Sequence, residues 1–254
     1  NALTVPVIVV LHTVLVNPTE HQRVVLEAVV DAADAVVTMT RTAYRRLRDY
    51  RVDLGKASVI PHGAHVPSSV IAPRFDAARP TILTWGLLGP GKGIEWGIEA
   101  LAQVAHLRPA PRYLVVGKTH PKVLERHGEK YRTSLEALAT QLGVSDLVEF
   151  NASYLSLAAL EGIVRDADVV LLPYDSPDQV TSGVLIEAVA AGKPVISSRF
   201  PHAVELLGEG PGLLVPHRSP QAIATALAQV LTDHDLRRAM AERSAQMAPQ
   251  LGWP

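Results

Sequence analysis

Residues 168–198 read DVVLLPYDSPDQVTSGVLIEAVAAGKPVISS, and the order of patterns inside them decides the fold. The apolar run 169–172, stopped by Pro173, is short and rich in β-branched residues, which predicts a parallel strand buried on both faces. Pro177, Asp178, Gln179, Thr181, Ser182 and Gly183 are turn and capping residues. They lead into 184–191, where Val184, Leu185, Ala188 and Ala191 recur at helical spacing until Gly192 ends the helix. A second strand starts at Pro194. The whole predicts a β-loop-α-β unit with a polar, glycine-containing loop at the carboxyl end of its first strand.

Such a loop places the backbone N–H groups of Thr181, Ser182, Gly183 and Val184 at a helix N-terminus, where aligned peptide dipoles concentrate about half a positive charge. A phosphate binds well there. A plain turn capped by Ser182 is the structural alternative. Glu187 favours the ligand: one turn into the helix, its carboxylate can accept two hydrogen bonds from the vicinal hydroxyls of a ribose.

The run from Gln179 to Val195 resembles the signature of the family 4 (group 1) retaining glycosyltransferases of the GT-B fold. In that family two Glu residues eight positions apart flank a small-residue loop, and the helix continues into Ala-Met-Ala-x-Gly-x-Pro-Val. Glu187 matches the second Glu. Gln179 stands at the first, keeping the shape and one acceptor but not the charge. The resemblance implies that Gln179 contacts the donor sugar and Glu187 the ribose. It also implies an α/β, GT-B type chain of Rossmann-like, doubly wound parallel sheets, and a site that needs no metal and no cofactor beyond a nucleoside-diphosphate-sugar donor.

Outward from that unit, 81–85 reads as a strand followed by Gly86-Leu-Leu-Gly-Pro-Gly91-Lys92-Gly93 and a helix over 94–107. A glycine-rich loop with one lysine lets backbone approach a diphosphate while an ammonium offsets its charge. The loop resembles the family's donor-diphosphate loop, except that Leu87 stands where Arg is usual. Lys118 and Arg199, each just after a strand, are candidates to supply the second cation. A strand over 113–116 ends at Gly117 and Lys118, where ligands of open α/β sheets bind. One long helix is expected over 121–142, a strand over 147–150, and a loop carrying Tyr154, placed by the resemblance near the base together with Gly117. Ser156 caps a helix over 157–165. A strand over 212–215, helices over 219–231 and 235–247, and the start of a crossover helix at 252–254 complete this part.

Toward the amino terminus the pattern is strand (5–11), helix (20–33, capped by Thr19), strand (35–39), basic helix (42–50) and strand (57–60) closed by Pro61-His62-Gly63. His12, at the carboxyl end of the first strand, matches a family His that approaches the donor sugar. Arg45, Arg46 and Arg48 read as a solvated helix face, with acceptor or membrane contact as the alternative. Residues 67–80, with three prolines in 66–80 and no periodicity, read as a linker between a partial N-terminal domain (1–66) and a complete nucleotide-sugar-binding domain (81–254).

Composition narrows the classes. A net charge of −1 over 254 residues gives no electrostatic case for nucleic acid. Zero cysteines exclude disulfides and cysteine-ligated zinc and suit a cytoplasmic compartment. The apolar run near the amino terminus is too short to span a bilayer and lacks the basic flank of a signal peptide. The first residue is Asn1, which reads as a cropped or processed piece. Asp166 with Asp168, and Asp233 with Asp235, have the spacing of a metal-binding pair, but their positions at element ends fit turns and caps. The expected function is transfer of a sugar to the hydroxyl of a glycan, lipid or small-molecule acceptor, at the inner face of a membrane if the basic helix contacts one. The alternatives are a non-catalytic nucleotide-sugar-binding module or truncated half of such an enzyme, a same-fold epimerase, and a plain interaction domain.

Overall fold

A computed structural model describes residues 5–66, 79–153, 155–208 and 210–253. Tyr154 and nearly all of the expected linker lie outside the described residues. The chain forms two parallel sheets. The smaller, in the order β1 (Ile8–Leu11), β2 (Ala35–Thr38), β3 (Ala57–Val59), is crossed by α1 (Glu20–Ala32) and α2 (Arg41–Arg46). α1 opens with a reciprocal cap: Thr19 Oγ1 accepts from Gln22 N–H, and the Gln22 side chain accepts from Thr19 N–H. α2 starts at Thr40, whose hydroxyl accepts from Ala43 N–H.

The larger sheet has six parallel strands: β4 (Thr81–Trp85), β5 (Arg112–Val116), β6 (Val148–Asn151), β7 (Val169–Leu172), β8 (Val195–Ser198) and β9 (Gly212–Val215). Their spatial order is β6-β5-β4-β7-β8-β9. The chain therefore builds outward from β4 in one direction, then jumps back to β7 and builds the other way. The loops after β4 and β7 diverge at that reversal and leave the crevice where open α/β sheets bind ligands.

The crossover connections put helices on both faces. α3 (Ile94–Val104), α5 (Lys130–Gln141) and α9 (Pro220–Thr232) bury Ile98, Leu101, Leu135 and Leu227 on one face. α6 (Leu157–Asp166), α7 (Gly183–Ala190), α8 (Pro201–Leu207) and α10 (His234–Leu251) bury Val164, Ile186, Leu207 and Leu251 on the other. β4, β7 and β8 are consequently buried at every residue. Each fully buried Val or Leu there is favoured by roughly 1.5–3 kcal/mol over an exposed one.

Several expectations change. The single helix over 121–142 is two, α4 (Pro121–His127) and α5, because the chain turns at Gly128, whose N–H caps Leu124 O at 2.9 Å. The basic helix ends at Arg46 and tightens into a 3₁₀ turn over Leu47–Asp49. α8 was not foreseen at all. The crossover helix expected at 252–254 does not begin there: α10 runs to Leu251, and Gly252 pairs with Ala64 as an isolated bridge. The aspartates serve the frame. Asp168 accepts from Thr81 N–H at 2.8 Å and lies 3.7 Å from Arg237, while Asp233 caps α10 through Leu236 N–H. Among the described residues no helix is long and apolar enough to cross a membrane.

Candidate functional site

The loop after β4 and the loop after β7 meet through close backbone contacts that only glycine permits. Gly93, which caps α3 in the left-handed region, faces Pro173 O so closely that a Cβ would sit 1.9 Å from it. Gly117, at the end of β5, has φ +142°, and its Cβ would sit 1.9 Å from Gly86 O. No L side chain is tolerated at either point. Gly91 closes the contact through its carbonyl, which accepts from Asp175 N–H at 2.9 Å and from the Ser176 hydroxyl at 3.4 Å.

Lys92, between Gly91 and Gly93 of this clamp, is half-buried. Its Nζ lies 4.4 Å from the centroid of the Tyr174 ring, a cation–π contact, and Tyr174 in turn stacks on Phe200 at 5.3 Å. Burial lowers the Lys92 pKa from its ordinary value, so the ammonium is poorly solvated and gains by meeting an anion. Ser182 and Glu187 both lie within electrostatic reach of the same Tyr174 phenol. Lys92 thus stands over the ring whose phenol Ser182 and Glu187 influence, although 95 residues of sequence separate Lys92 from Glu187.

The N-terminus of α7 differs from its expectation in one respect. Of the four amides predicted to be available, that of Ser182 is taken: it donates to His202 Nδ1 at 2.9 Å. The Ser182 hydroxyl caps Leu185 N–H at 3.2 Å. Gly183 and Val184 remain as the first two helical residues, whose N–H groups have no partner within the helix. Gly86 faces Val184, with 3.6 Å between its missing Cβ and Val184 Cγ2. The neighbouring Thr181 hydroxyl is buried without a hydrogen-bond partner.

Glu187 is exposed, and its Oε2 accepts from Trp85 Nε1–H at 3.2 Å. Beside it opens a cavity of about 630 Å³ lined by His62, Trp85, Leu160, Glu161, Glu187 and Trp253 among others. That volume is in the range of small-molecule sites. Gln179 lies on the same loop, but its amide Nε2–H turns back to donate to Thr181 O at 3.1 Å.

The remaining predicted residues are placed less centrally. Gly117 O accepts from Arg132 Nη2–H, anchoring the end of β5. Lys118 and Arg199 are exposed at the carboxyl ends of β5 and β8. His12 is exposed immediately after β1, and no described contact joins it to Lys92, Gln179 or Glu187.

Four residues that matter here were read as scaffold or not read. Trp85 was only a strand residue. His62 donates through Nδ1–H to Gly63 O at 2.7 Å, which turns Nε2 toward Gly183, whose Cβ position is 3.6 Å away. The signal for it was a His at a Pro-His-Gly strand end, the same kind of position that singled out His12. His202 sits on the unforeseen α8, for which Pro201 at the first helical position was the available cue. Arg46 was expected in solvent, yet its side chain is 13% exposed and donates to Val14 O and Asp178 O, both at 2.9 Å.

With this geometry in view, comparisons with known proteins are consistent in direction. The family model described as glycosyl transferases group 1 matches residues 71–247. The chain is similar to the D-inositol 3-phosphate glycosyltransferase of Kineococcus radiotolerans, 31% identical over 248 residues that cover 89% of this chain and 56% of that protein. The corresponding Corynebacterium urealyticum protein is 30% identical, over 92% of this chain and 57% of its own length. The chain therefore spans a little over half the length of these relatives. Among solved structures, Anabaena Alr3699/HepE in complex with UDP and glucose superposes with a TM-score of 0.79 at 21% identity, over 97% of this chain and 67% of that one. Sucrose-phosphate synthase from Thermosynechococcus elongatus gives 0.79 at 25% identity, over 97% and 64%. These likenesses establish the GT-B type arrangement of two parallel-sheet units.

Proposed function

Because the chain belongs to the group 1 glycosyl transferases, we propose that it forms the donor-binding part of an enzyme that moves a sugar from a nucleoside diphosphate to an acceptor hydroxyl, with retention of anomeric configuration. Lys92 and the amides of Gly183 and Val184 take the diphosphate. As the glycosidic bond breaks, negative charge grows on the leaving phosphate, and donors already fixed at that point stabilise it without reorganising. Glu187 holds the ribose, the cavity beside it takes the nucleoside, and Gln179 faces the sugar. His12 approaches the sugar from the N-terminal unit, where the acceptor binds. No side chain serves as a nucleophile: the acceptor attacks from the side on which the diphosphate departs. The site uses neither a metal nor a cofactor.

The observation that carries this reading is the placement of Lys92. A lysine held over a buried aromatic ring, at the sheet's topological reversal and next to a helix N-terminus, loses hydration that a diphosphate replaces. Calorimetric titration of the chain with UDP, GDP and ADP tests it. One of the three is expected to bind, and Lys92→Ala to weaken that binding at least ten-fold. Absence of binding by all three overturns the reading.

One observation favours a second reading, a binding module without transferase activity. The Gln179 amide is engaged within its own loop, and Gln lacks the charge of the family's Glu. Transfer or donor hydrolysis by the full-length gene product separates the two: binding without turnover selects the module.

A further inference from the structure

The segment joining β7 to α7 is tied to the other sheet unit as well as to its own. Val180, 1% exposed, belongs to an apolar cluster whose other buried members are Val14, Ala43, Leu47 and Tyr50, all from the N-terminal unit. Two residues earlier, Arg46 Nη1 donates at once to Asp178 O and Val14 O, and Arg46 Nη2 lies 3.6 Å from the Asp178 carboxylate. α2, which carries Arg46, is itself fixed. Glu205 of α8 accepts at its N-terminus from the N–H groups of Arg41 and Thr42 and from the Thr42 hydroxyl, at 2.8–2.9 Å.

Gln179 stands between these two anchors. One neighbour is held through its carbonyl and the next is buried in a foreign core, while Gln179 itself donates to Ser176 O at 3.1 Å and accepts from His202 N–H at 3.4 Å, so the backbone around position 179 has little freedom left. Lys92 is held apart from this arrangement, by the clamp of Gly93 on Pro173, and α7 is capped by Ser182 and His202, whose own N–H donates to Gln179 O at 3.4 Å.

We infer that Arg46 and Val180 are positioning residues, which lock segment 178–180 to α2 so that the N-terminal unit sets the presentation of Gln179 to the donor sugar. The inference rests on the reading of this site as a nucleotide-sugar site. A guanidinium that satisfies two carbonyls at once orders them without itself touching the ligand. When it is removed, two carbonyls lose their partner, the loop samples other conformations, and the sugar must restrict it again on binding. The nucleotide part of the affinity is untouched.

The test uses the chain with Arg46→Ala, Arg46→Lys and Val180→Ala, titrated by calorimetry with UDP, GDP and ADP and with the glucose conjugate of each. Hydrogen exchange is followed at the amides of residues 178–182. In Arg46→Ala the affinity for the bare diphosphate is expected to stay within two-fold, while the extra affinity contributed by glucose falls about ten-fold. Exchange at 179–181 rises by a similar factor without a comparable rise in β4 or β7. Val180→Ala shifts both readouts the same way, and Arg46→Lys, which reaches one carbonyl rather than two, recovers part of the loss. If the unaltered chain binds none of the diphosphates, the nucleotide-sugar reading fails. If a diphosphate binds but neither the glucose contribution nor the exchange at 179–181 responds to the Arg46 and Val180 variants, the positioning inference alone is overturned.

Discussion

The two sheets are built from the same βα grammar and end up in different solvents. In the six-stranded sheet β4, β7 and β8 have no exposed residue. In the three-stranded sheet β1 alternates, with Ile8 65% and Val10 46% exposed, and β3 exposes two of its three residues. α1 likewise turns Val24, Val25 and Val29 outward. A run of Val and Ile therefore does not by itself report burial: 169–172 and 8–11 look alike as text, but β7 lies between two strands with helices on both faces, whereas β1 is at the edge of its described sheet. The functional groups follow this division. Lys92 and the α7 amides are held by the sheet covered on both faces, whereas Arg46 reaches the loop ahead of α7, at Asp178, from the half-covered one.

The sharpest way to test that contrast is a matched pair of core changes. Leu171→Ala, in the middle of β7, is expected to lower stability by about 2–5 kcal/mol, and Ile8→Thr to change it by less than about 0.5 kcal/mol, both read from denaturant unfolding. Comparable losses at the two positions would mean that the smaller sheet is covered as well.

Next in size is the meeting of β4 and β5. Gly117→Ala drives a methyl group into the Gly86 carbonyl, and displacement of either loop moves the lysine-bearing segment. A stability loss of about 1–3 kcal/mol is expected, with weakened nucleoside-diphosphate binding. A variant with unaltered unfolding midpoint and affinity would show that the clamp is not needed.

Two contacts of α8, one to α7 within the larger unit and one to α2 across the units, should loosen in acid. Burial lowers the His202 pKa to about 4, and the neutral ring accepts at Nδ1 from Ser182 N–H. The unfolded chain then binds more protons than the folded one between about pH 6.5 and 4, so stability falls as pH falls through that window. Burial would raise the Glu205 pKa, but the donors of Arg41 and Thr42 outweigh it and the net direction is down. Its stabilisation is present above the ordinary carboxylate pKa and is lost below it, in the same direction as His202. His202→Gln, which keeps an acceptor and cannot be protonated, is expected to flatten the stability profile between pH 6.5 and 4. An unchanged slope would discard this account.

The smallest effect is expected at Lys193, inside the larger sheet unit. Its Nζ caps the end of α6 by donating to Arg165 O and Ala167 O, and burial lowers its pKa to about 8. Between about pH 8 and 10.5 the unfolded chain holds the extra proton, so this group makes the fold more stable as pH rises. Lys193→Met should remove that rise while lowering stability at its top, which paired urea titrations at pH 8 and pH 10 would show.

Much of the candidate site was legible because it is made of local signals. A short β-branched run, a capping Ser, a helix-period pattern and a terminal Gly each act within one or two turns of chain, so the β-loop-α-β unit, Lys92 and Glu187 could be placed from residue order alone. Errors arose where a partner lies far away in sequence. Arg46 sits on a polar helix that looks solvated until Asp178, 132 residues later, is brought to it. The Ser182 amide looks available until His202 arrives on a helix opened by an unheeded proline. Gly128 was absorbed into one long helix because a lone glycine within a helical stretch is tolerated, and its φ of +59° is not marked by its neighbours.

What the amino-acid order determined unaided is therefore the kind of protein this is: parallel βα units, a glycine loop with one lysine, and a helix N-terminus backed by a carboxylate. Only the tertiary structure decided which amides stay open, that Val180 belongs to the core of the other unit, and that Gln179 is held between two anchors. The physical reason is range. Backbone propensity and capping are settled among neighbours, whereas burial, the lowered pKa of Lys92 and the two-carbonyl grip of Arg46 exist only when segments more than eighty residues apart have packed and excluded water between them.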